Sequence, residues 1–341
     1  MKRALLVLFT VVAIAVLFIG FIFGWATYYS MWRLVAGPRK RPLRNIVFAQ
    51  TEARRLRGQY LAEGPLACFR CHSDRDWTQD GAPVPPSRKG TGHVFDKEGI
   101  PNLVAPNITP DVETGAGSWS DDMLARAIRE GIGHDDRTLH PQMWSAAFSK
   151  LPDEDVAAIV VYLRSLPAIR NALPSTHLTL SQKFRFNTMP EPVLDARPQP
   201  SFATPKERGE FLEYTADCAG CHTDWYHPGS AVNGQLFAGG NLINAPTGEK
   251  IFSPNLTPDP SGISYYDENL FLQVIRTGKV GARKLHGVMP WAFYRSMSDD
   301  DLKAIFAWLR SQNPVRHIVD NTEPPTFCRL CLQKHGGGER N

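Results

Sequence analysis

The chain has 341 residues, a hydrophobic share of 43% and a formal net charge of +4. This length excludes a single small domain and is sufficient for two domains with additional segments. The charge is too small to favour or exclude nucleic acid as a partner. The hydrophobic share is typical of soluble domains with one apolar segment attached.

An almost unbroken apolar run extends from Ala4 to Trp25, after Met1-Lys2-Arg3. About twenty apolar residues cross a bilayer as a helix. The run is longer than the core of a signal peptide, and no Ala-x-Ala-like cleavage site follows it. We therefore predict an uncleaved transmembrane anchor over residues 1–33, with a cleaved signal peptide as the alternative. Basic residues after the run outnumber those before it, which opposes export by the positive-inside count; they are Arg33, Arg39, Lys40, Arg41 and Arg44.

One pentapeptide pattern occurs twice, as Cys68-Phe69-Arg70-Cys71-His72 and as Cys218-Ala219-Gly220-Cys221-His222. Cys-x-x-Cys-His is typical of c-type haem attachment. Two thiols about one helical turn apart can each add to a vinyl group of one porphyrin, and the next histidine supplies a nitrogen to the iron. A disulfide beside an idle histidine is the alternative for a single copy, and the repetition disfavours it. We predict two covalently bound haem c groups, held by Cys68, Cys71, His72, Cys218, Cys221 and His222.

Haem attachment also predicts the compartment. The haem domains must lie outside the cytoplasm, in an oxidising environment. Long domains are translocated largely regardless of charge, so the haem chemistry outweighs the count of basic residues. The sequence therefore predicts a bacterial inner-membrane protein with its haem domains facing the periplasm.

The surroundings of the two motifs repeat as well. Arg57-Gly58-Gln59-Tyr60-Leu61 matches Arg208-Gly209-Glu210-Phe211-Leu212, and Pro106-Asn107-Ile108-Thr109-Pro110-Asp111 matches Pro254-Asn255-Leu256-Thr257-Pro258-Asp259. So many ordered matches indicate a tandem repeat of one domain. We predict an all-α fold with two such domains, at 48–166 and 204–314. A Pro-rich linker separates them at 167–203, and a loosely ordered tail follows at 315–341.

Each copy is predicted to contain three helices besides the haem motif. The predicted positions are 51–62 and 205–217 for the first, a start near Ser120 or Asp267 for the second, and 153–165 and 299–311 for the third. Ser298 and Asp301 are predicted to form a capping box. Gly58 and Gly209 would let Tyr162 and Trp308 of the last helices lie close, which would fix a helix crossing. The alternative is that these glycines only weaken exposed helices.

The second axial position of each iron requires a ligand from the opposite side. Met143 and Met289 occupy equivalent places between the middle and last helices, and a thioether ligand raises the reduction potential. His140 and His286, each three residues earlier, are rival ligands that would lower it. Gap-filling in the core is the alternative for either methionine.

Three further groups of residues have side chains suited to a functional site. Asn107 and Asn255 open turns, and we expect turn chemistry, contact with a haem propionate, or both. Cys328 and Cys331 form a third Cys-x-x-Cys without its histidine, for which we predict a local disulfide, with a metal site as the weaker alternative. The remaining histidines have no repeat equivalent and are expected at the surface; they are His93, His134, His177, His227, His317 and His335.

The chain resembles the class I cytochrome c family, and most of all the membrane-anchored dihaem cytochromes of bacterial periplasmic dehydrogenases. The resemblance is carried by the two Cys-x-x-Cys-His motifs, the two Pro-Asn-x-Thr-Pro-Asp turns and Met289-Pro290-Trp291, and it covers about 48–166 and 204–312. It implies low-spin haems with His and Met ligands that pass single electrons. In the first copy Met143 is followed by Trp144 instead of the family's proline.

We therefore predict an electron carrier rather than an enzyme. It would connect a periplasmic dehydrogenase or quinol-oxidising complex with an oxidase or soluble cytochrome. The sequence offers no recognisable nucleophile, pair of catalytic carboxylates or nucleotide-binding loop. Two alternatives remain: a peroxidase-like or thiosulfate-dehydrogenase-like enzyme acting at an open first haem, and a structural subunit.

Overall fold

The computed structural model describes residues 2–225 and 235–319, together with residues 321, 326, 327, 329, 332, 334 and 335 of the tail. The described part is mostly helical with a few very short strands, which confirms the all-α prediction. Cys328 and Cys331 lie outside the described residues, so the disulfide and metal-site predictions for them stay predictions.

The helices follow the predicted repeat. They are α1 (Lys2–Ala36), α2 (Glu52–Glu63), α3 (Cys68–Cys71), α4 (Asp121–Glu130), α5 (Ser145–Phe148), α6 (Asp153–Arg164), α7 (Leu180–Phe186), α8 (Pro205–Ala216), α9 (Cys218–His222), α10 (Glu268–Thr277), α11 (Trp291–Tyr294) and α12 (Asp299–Arg310). Short 3-10 turns occur at Pro86–Arg88, Phe95–Glu98 and Pro141–Met143.

The strands form antiparallel pairs of two or three residues. They are β1 (His93–Val94) with β2 (Val104–Ala105), β3 (Leu242–Asn244) with β4 (Lys250–Phe252), β5 (Lys279–Val280) with β6 (Arg283–Lys284), and β7 (Thr326–Phe327) with β8 (Lys334–His335). Val94 faces Val104 in the first pair, and Ile243 faces Ile251 in the second. These pairs close loops around the helices.

The chain forms two compact units. The first comprises Met1–Asn45, Asp122–Lys150 and Leu178–Asp195, and the second comprises Ile46–Asp121, Leu151–His177 and Ala196–Asn341. Both haem-attachment helices belong to the second unit. The domain boundaries predicted from the repeat stay a prediction.

Helix α1 is long and apolar enough to cross a bilayer, over Leu5–Ala36. Its large side chains are exposed along its whole length; Phe9, Leu17 and Phe23, for example, are 73%, 73% and 75% exposed. Exposed apolar surface on this scale requires a non-aqueous environment. The helix therefore suggests either a membrane anchor or a signal sequence.

The basic segment after α1 is tied to the rest of the first unit by ion pairs. Arg41 is buried, donates two 2.7 Å hydrogen bonds to Asp122, and donates a third of 2.8 Å to Glu130. Lys40 pairs with Asp136 at 2.6 Å. These basic residues, which count against export in the sequence, thus have acidic partners in the folded chain.

Removal of the Arg41 guanidinium should destabilise the first unit strongly. Arg41→Met leaves Asp122 and Glu130 buried without their cation, for which we expect a loss of about 3–5 kcal/mol. The measurement is denaturant unfolding of the detergent-solubilised protein. The exposed Arg44→Met is the matched control and should change stability by less than about 1 kcal/mol. Equal losses in the two variants would contradict this assignment.

The second unit is built on two equivalent helix crossings, α2 with α6 and α8 with α12. A Cβ on Gly58 would lie 1.9 Å from the carbonyl oxygen of Ala158 and 2.8 Å from the Cβ of Tyr162. A Cβ on Gly209 would lie 1.9 Å from the carbonyl oxygen of Ala304. Both glycines are buried at the crossings, as the close-approach interpretation predicts. The alternative of weakened exposed helices is wrong.

Alanine at either glycine should separate the crossing helices. Because the obstructing atom is a backbone oxygen, relaxation is restricted, and we expect Gly209→Ala to cost about 3 kcal/mol. Thermal unfolding followed by far-ultraviolet circular dichroism measures the loss. Glu210→Ala, at an exposed position one residue further along α8, is the control, and a comparable loss there would argue against the crossing as the cause.

Two features of the helices differ from the sequence-based expectations. The linker contains α7, which Thr179 and Gln182 begin with a reciprocal capping box. The capping box predicted for α12 is only half formed, since Ser298 accepts from the Asp301 amide at 3.2 Å while the Asp301 carboxylate pairs with Arg208 at 2.5 Å. An ion pair to another helix has therefore replaced the local return bond.

Candidate haem-attachment sites

Both Cys-x-x-Cys-His motifs form a single helical turn. Helices α3 and α9 start directly after residues with left-handed backbone, Ala67 (φ 43°) and Asp217 (φ 60°). The helical turn places each pair of cysteines three residues apart on one side. The four thiols are not joined in disulfides. The arrangement leaves them available to one porphyrin per motif, as the haem interpretation requires.

Each motif histidine is held by a hydrogen bond to a prolyl carbonyl. His72 Nδ1 lies 2.9 Å from the oxygen of Pro106, and His222 Nδ1 lies 2.8 Å from the oxygen of Pro254. A carbonyl oxygen can only accept, so Nδ1 carries the proton in both rings. In the neutral imidazole the lone pair is then on Nε2, the atom that can bind a metal.

The environment also keeps these imidazoles neutral. Both side chains are buried, with 7% exposure for His72 and 6% for His222. Burial lowers the pKa of each ring below its usual value, and the hydrogen bond to the prolyl carbonyl opposes this only in part. Two neutral, oriented imidazoles are therefore presented at equivalent positions of the repeat.

The prolines that accept these bonds are fixed by the following asparagine turn. Asn107 Oδ1 accepts from the amide and hydroxyl of Thr109 at 3.0 and 2.7 Å, and Asn107 Nδ2 donates to the oxygen of Ile169 at 2.8 Å. Asn255 makes the same contacts, with Thr257 and with the oxygen of Val315. Each turn is thus fastened to the chain just after the last helix of its copy. The polar groups expected to reach a propionate are engaged in this turn, which favours turn chemistry.

A cavity of about 250 Å³ adjoins α9 in the second unit. Cys218, Cys221 and His222 line it, together with Met289 from the loop before α11. Its walls are mainly apolar and include Leu256, Ile263, Phe271, Ile275, Leu302, Ile305 and Leu309. Two thiols, a neutral imidazole, a thioether and apolar walls fit a covalently bound haem with His and Met ligands.

The rival histidines have a local structural role. His286 Nδ1 accepts from the amide of Val288 at 3.1 Å, and His140 Nδ1 accepts from the amide of Gln142 at 3.2 Å. His286 lines a separate cavity of about 100 Å³, together with Trp77. This placement favours Met289 over His286 as the axial ligand of the second haem.

For the first attachment site, the structure shows the two cysteines and the histidine in one compact unit and the predicted methionine ligand in the other. Cys68, Cys71 and His72 belong to the second unit, whereas Met143 belongs to the first unit, where it ends the 3-10 turn Pro141–Met143. Met143 as the ligand of the first haem stays a prediction.

Two histidines without repeat equivalents are not surface residues, contrary to expectation. His317 is 3% exposed, and its Nδ1 lies 2.8 Å from the oxygen of Ala238. His93 lies between two carboxylates, with Nδ1 at 2.7 Å from Asp74 and Nε2 at 2.8 Å from Glu98. No sequence motif predicts this cluster, because Asp74, His93 and Glu98 are single charged or polar residues without a recognised spacing.

The cluster of His93, Asp74 and Glu98 should make stability depend on pH. Burial alone would lower the pKa of His93, but the hydrogen bonds to Glu98 and Asp74 outweigh it and raise the pKa above the usual value. Because the folded pKa is raised, the cluster contributes fully below the unfolded pKa of about 6.5, and the contribution disappears as pH rises through the folded pKa. Melting temperatures are measured from below about pH 6.5 to above the folded pKa of His93. They should fall with rising pH more steeply in the wild type than in His93→Gln. Parallel pH profiles would contradict the assignment.

The chain is similar to several cytochrome c proteins. The chain is 27% identical over 301 residues, 84% of its length, to the cytochrome c subunit of a quinone-dependent alcohol dehydrogenase of Gluconobacter oxydans. It is 38% identical over 122 residues to the cytochrome c subunit of gluconate 2-dehydrogenase of Pantoea cypripedii, and 28% identical over 161 residues to a dihaem cytochrome c-type protein of Cereibacter sphaeroides. The chain is a homologue of cytochrome c proteins.

The matches cover only part of the relatives. The chain spans 60% of the alcohol dehydrogenase subunit, 26% of the gluconate 2-dehydrogenase subunit and 53% of the dihaem protein. The two latter matches cover 35% and 46% of this chain. No family model matches the chain. The names of these relatives support an electron-transfer role with covalently bound haem c.

Proposed function

We propose that this cytochrome is a membrane-anchored dihaem electron carrier. It takes single electrons from a periplasmic dehydrogenase or a quinol-oxidising complex and passes them to an oxidase or a soluble cytochrome. Bound haem c supplies the one-electron chemistry. The chain supplies the thiols that tether each haem, the histidines that orient toward it, and the apolar walls that exclude water.

The observation that carries this proposal is the equivalence of the two proximal sites. His72 with Pro106 and His222 with Pro254 repeat the same hydrogen bond within 0.1 Å, at 2.9 and 2.8 Å. Each carbonyl is held by the Asn-Thr turn of its own copy, and the two turns are equivalent. A protein that bound one haem for catalysis would not require the complete arrangement twice. The duplication therefore favours two similar ligation sites, which is the arrangement of an electron relay.

A dehydrogenase partner is proposed from the relatives. Several of them are named as cytochrome subunits of dehydrogenases, and their names include alcohol and gluconate as substrates. We propose a dehydrogenase subunit as the electron donor and assign the catalytic reaction to that partner.

The anchor completes the proposal. Helix α1 would remain in the bacterial inner membrane, with the haem domains on the periplasmic side. The ion pairs of Arg41 with Asp122 and Glu130 join the end of α1 to a folded unit rather than to a flexible linker. The carrier would thus be held at the membrane surface, where membrane-bound electron donors are encountered.

Replacement of the axial methionines tests the ligation directly. We expect the oxidised protein to show a weak band at about 695 nm from Met-to-iron ligation, with an intensity appropriate to two haems. Met289→Leu keeps the volume but removes the thioether, so it should remove half of the band and lower one reduction potential. Met143→Leu should remove the other half.

Met189→Leu is the matched control, because Met189 is 51% exposed and belongs to neither predicted site. It should leave the band unchanged. A wild-type band of half intensity with high-spin features would indicate an open first haem and favour the enzyme alternative. A band that survives in Met289→Leu would overturn the assignment of that ligand.

A further inference from the structure

The two haem-attachment motifs meet within the second unit, because the loop after the first motif packs against the loop that carries Met289. Arg75 donates a 2.6 Å hydrogen bond to the oxygen of Gly287. Gly81 is so close to the Trp291 ring that a Cβ there would lie 2.6 Å from it. Lys284 and Asp80 form an ion pair of 2.7 Å. The junction between the copies is therefore a direct packing contact.

Arg70 crosses this junction. It belongs to the first motif, between Cys68 and Cys71, yet it lines the cavity formed by Cys218, Cys221 and His222. Arg70 shares this cavity with Cys221, and it also shares it with Asp217 and Met289. The backbone of Arg70 therefore belongs to the first attachment motif, whereas its side chain lies at the second attachment site.

The two motifs differ at the positions that form this contact. Where the first motif has Arg70, the second has Gly220; where the second copy has Asp217 before its first cysteine, the first copy has Ala67. A Cβ on Gly220 would lie 2.0 Å from the Asp217 carboxylate, so a larger residue there would displace this carboxylate from its position. Asp217 interacts electrostatically with Arg70, and its Oδ1 is buried without a hydrogen-bond partner. At this boundary the first copy therefore contributes a cation, Arg70, and the second copy contributes an anion, Asp217.

We propose that Arg70 is a residue of the second haem site, where its fixed charge raises the reduction potential of the second haem. The proposal rests on the proposed dihaem function. An arginine side chain stays protonated in proteins. Reduction removes one positive charge from a ferric haem, so a nearby cation stabilises the reduced state, and more strongly at low dielectric than in water. Asp217 opposes the effect from the same side of the cavity.

Arg75 offers a matched comparison. Arg70 and Arg75 both lie near Cys71 in the sequence, but of the two only Arg70 lines the cavity formed by Cys218, Cys221 and His222. Neutralisation of Arg70 should therefore affect both haems, whereas neutralisation of Arg75 should affect mainly the first haem. This difference separates a specific action at the second site from a general loss of positive charge.

The test is a spectroelectrochemical titration of the full-length protein at about pH 8. Burial raises the pKa of Asp217 to about 6 despite the charge of Arg70, so this carboxyl is ionised under these conditions. The wave that moves in Met289→Leu identifies the second haem. In Arg70→Gln we expect a roughly tenfold fall in its reduced-to-oxidised ratio at fixed potential, which corresponds to about 59 mV for one electron. Arg70→Lys, which keeps the charge, should restore most of the difference.

Two further variants complete the design. Arg75→Gln, whose amide can still donate to the Met289 loop, should shift the second wave less than Arg70→Gln does, and Asp217→Asn, which tolerates the left-handed backbone, should raise it. The proposal is overturned if Arg70→Gln leaves the second wave unmoved or if Arg75→Gln shifts it equally. If the Arg70→Gln protein does not retain both haems, the reduction potential of the second haem is measured in Arg70→Met and Asp217→Asn instead. Haem content is measured separately, and a wild type without covalent haem would instead contradict the proposed function.

Discussion

The hydrogen bond from each motif histidine to a prolyl carbonyl is the constraint on which the site depends. It fixes the tautomer of His72 and His222 and directs Nε2 away from the backbone. The carbonyl is itself held by the buried Asn-x-Thr turn, which is fastened to the segment after the last helix of each copy. The last helix is in turn fixed by its close crossing over Gly58 or Gly209. A short chain of contacts therefore connects the helix crossing to the orientation of the metal-binding nitrogen.

This dependence explains which parts of the two copies are alike and which are not. The crossing glycines, the Asn-Thr turns and the histidines recur with nearly the same distances. The residues between the cysteines differ, since Phe69 and Arg70 stand where the second copy has Ala219 and Gly220. Phe69 packs against Tyr162 in the core of its own copy, whereas Arg70 reaches the cavity of the second attachment site and forms a junction between unlike copies. Duplication of the domain therefore accounts for the two equivalent histidine sites, and divergence at a few positions accounts for the difference in charge between the copies.

Much of the helical framework could be predicted from the sequence, because it depends on local signals. The predicted last helices, 153–165 and 299–311, agree within one residue with Asp153–Arg164 and Asp299–Arg310. Helix α7 was missed because the surrounding prolines suggested an extended linker, although Thr179 and Gln182 form a capping box. The cation at the junction and the partners of Arg41 could not be predicted, because residues far apart in sequence form them. The carboxylates around His93 lie closer in sequence, but their spacing matches no recognised motif. Their sequence signals are single charged residues without a pattern.

The measurement that tests the central claim most directly is the intact mass of the purified chain under denaturing conditions. Thioether-bound haem survives denaturation, whereas haem held only by axial ligands is lost. We expect the mass of the polypeptide increased by two haem groups, and an increase of one after the Cys218→Ala/Cys221→Ala double substitution. A mass equal to the polypeptide alone, with all four motif cysteines still reactive toward a thiol reagent, would contradict covalent haem attachment and the electron-transfer role derived from it.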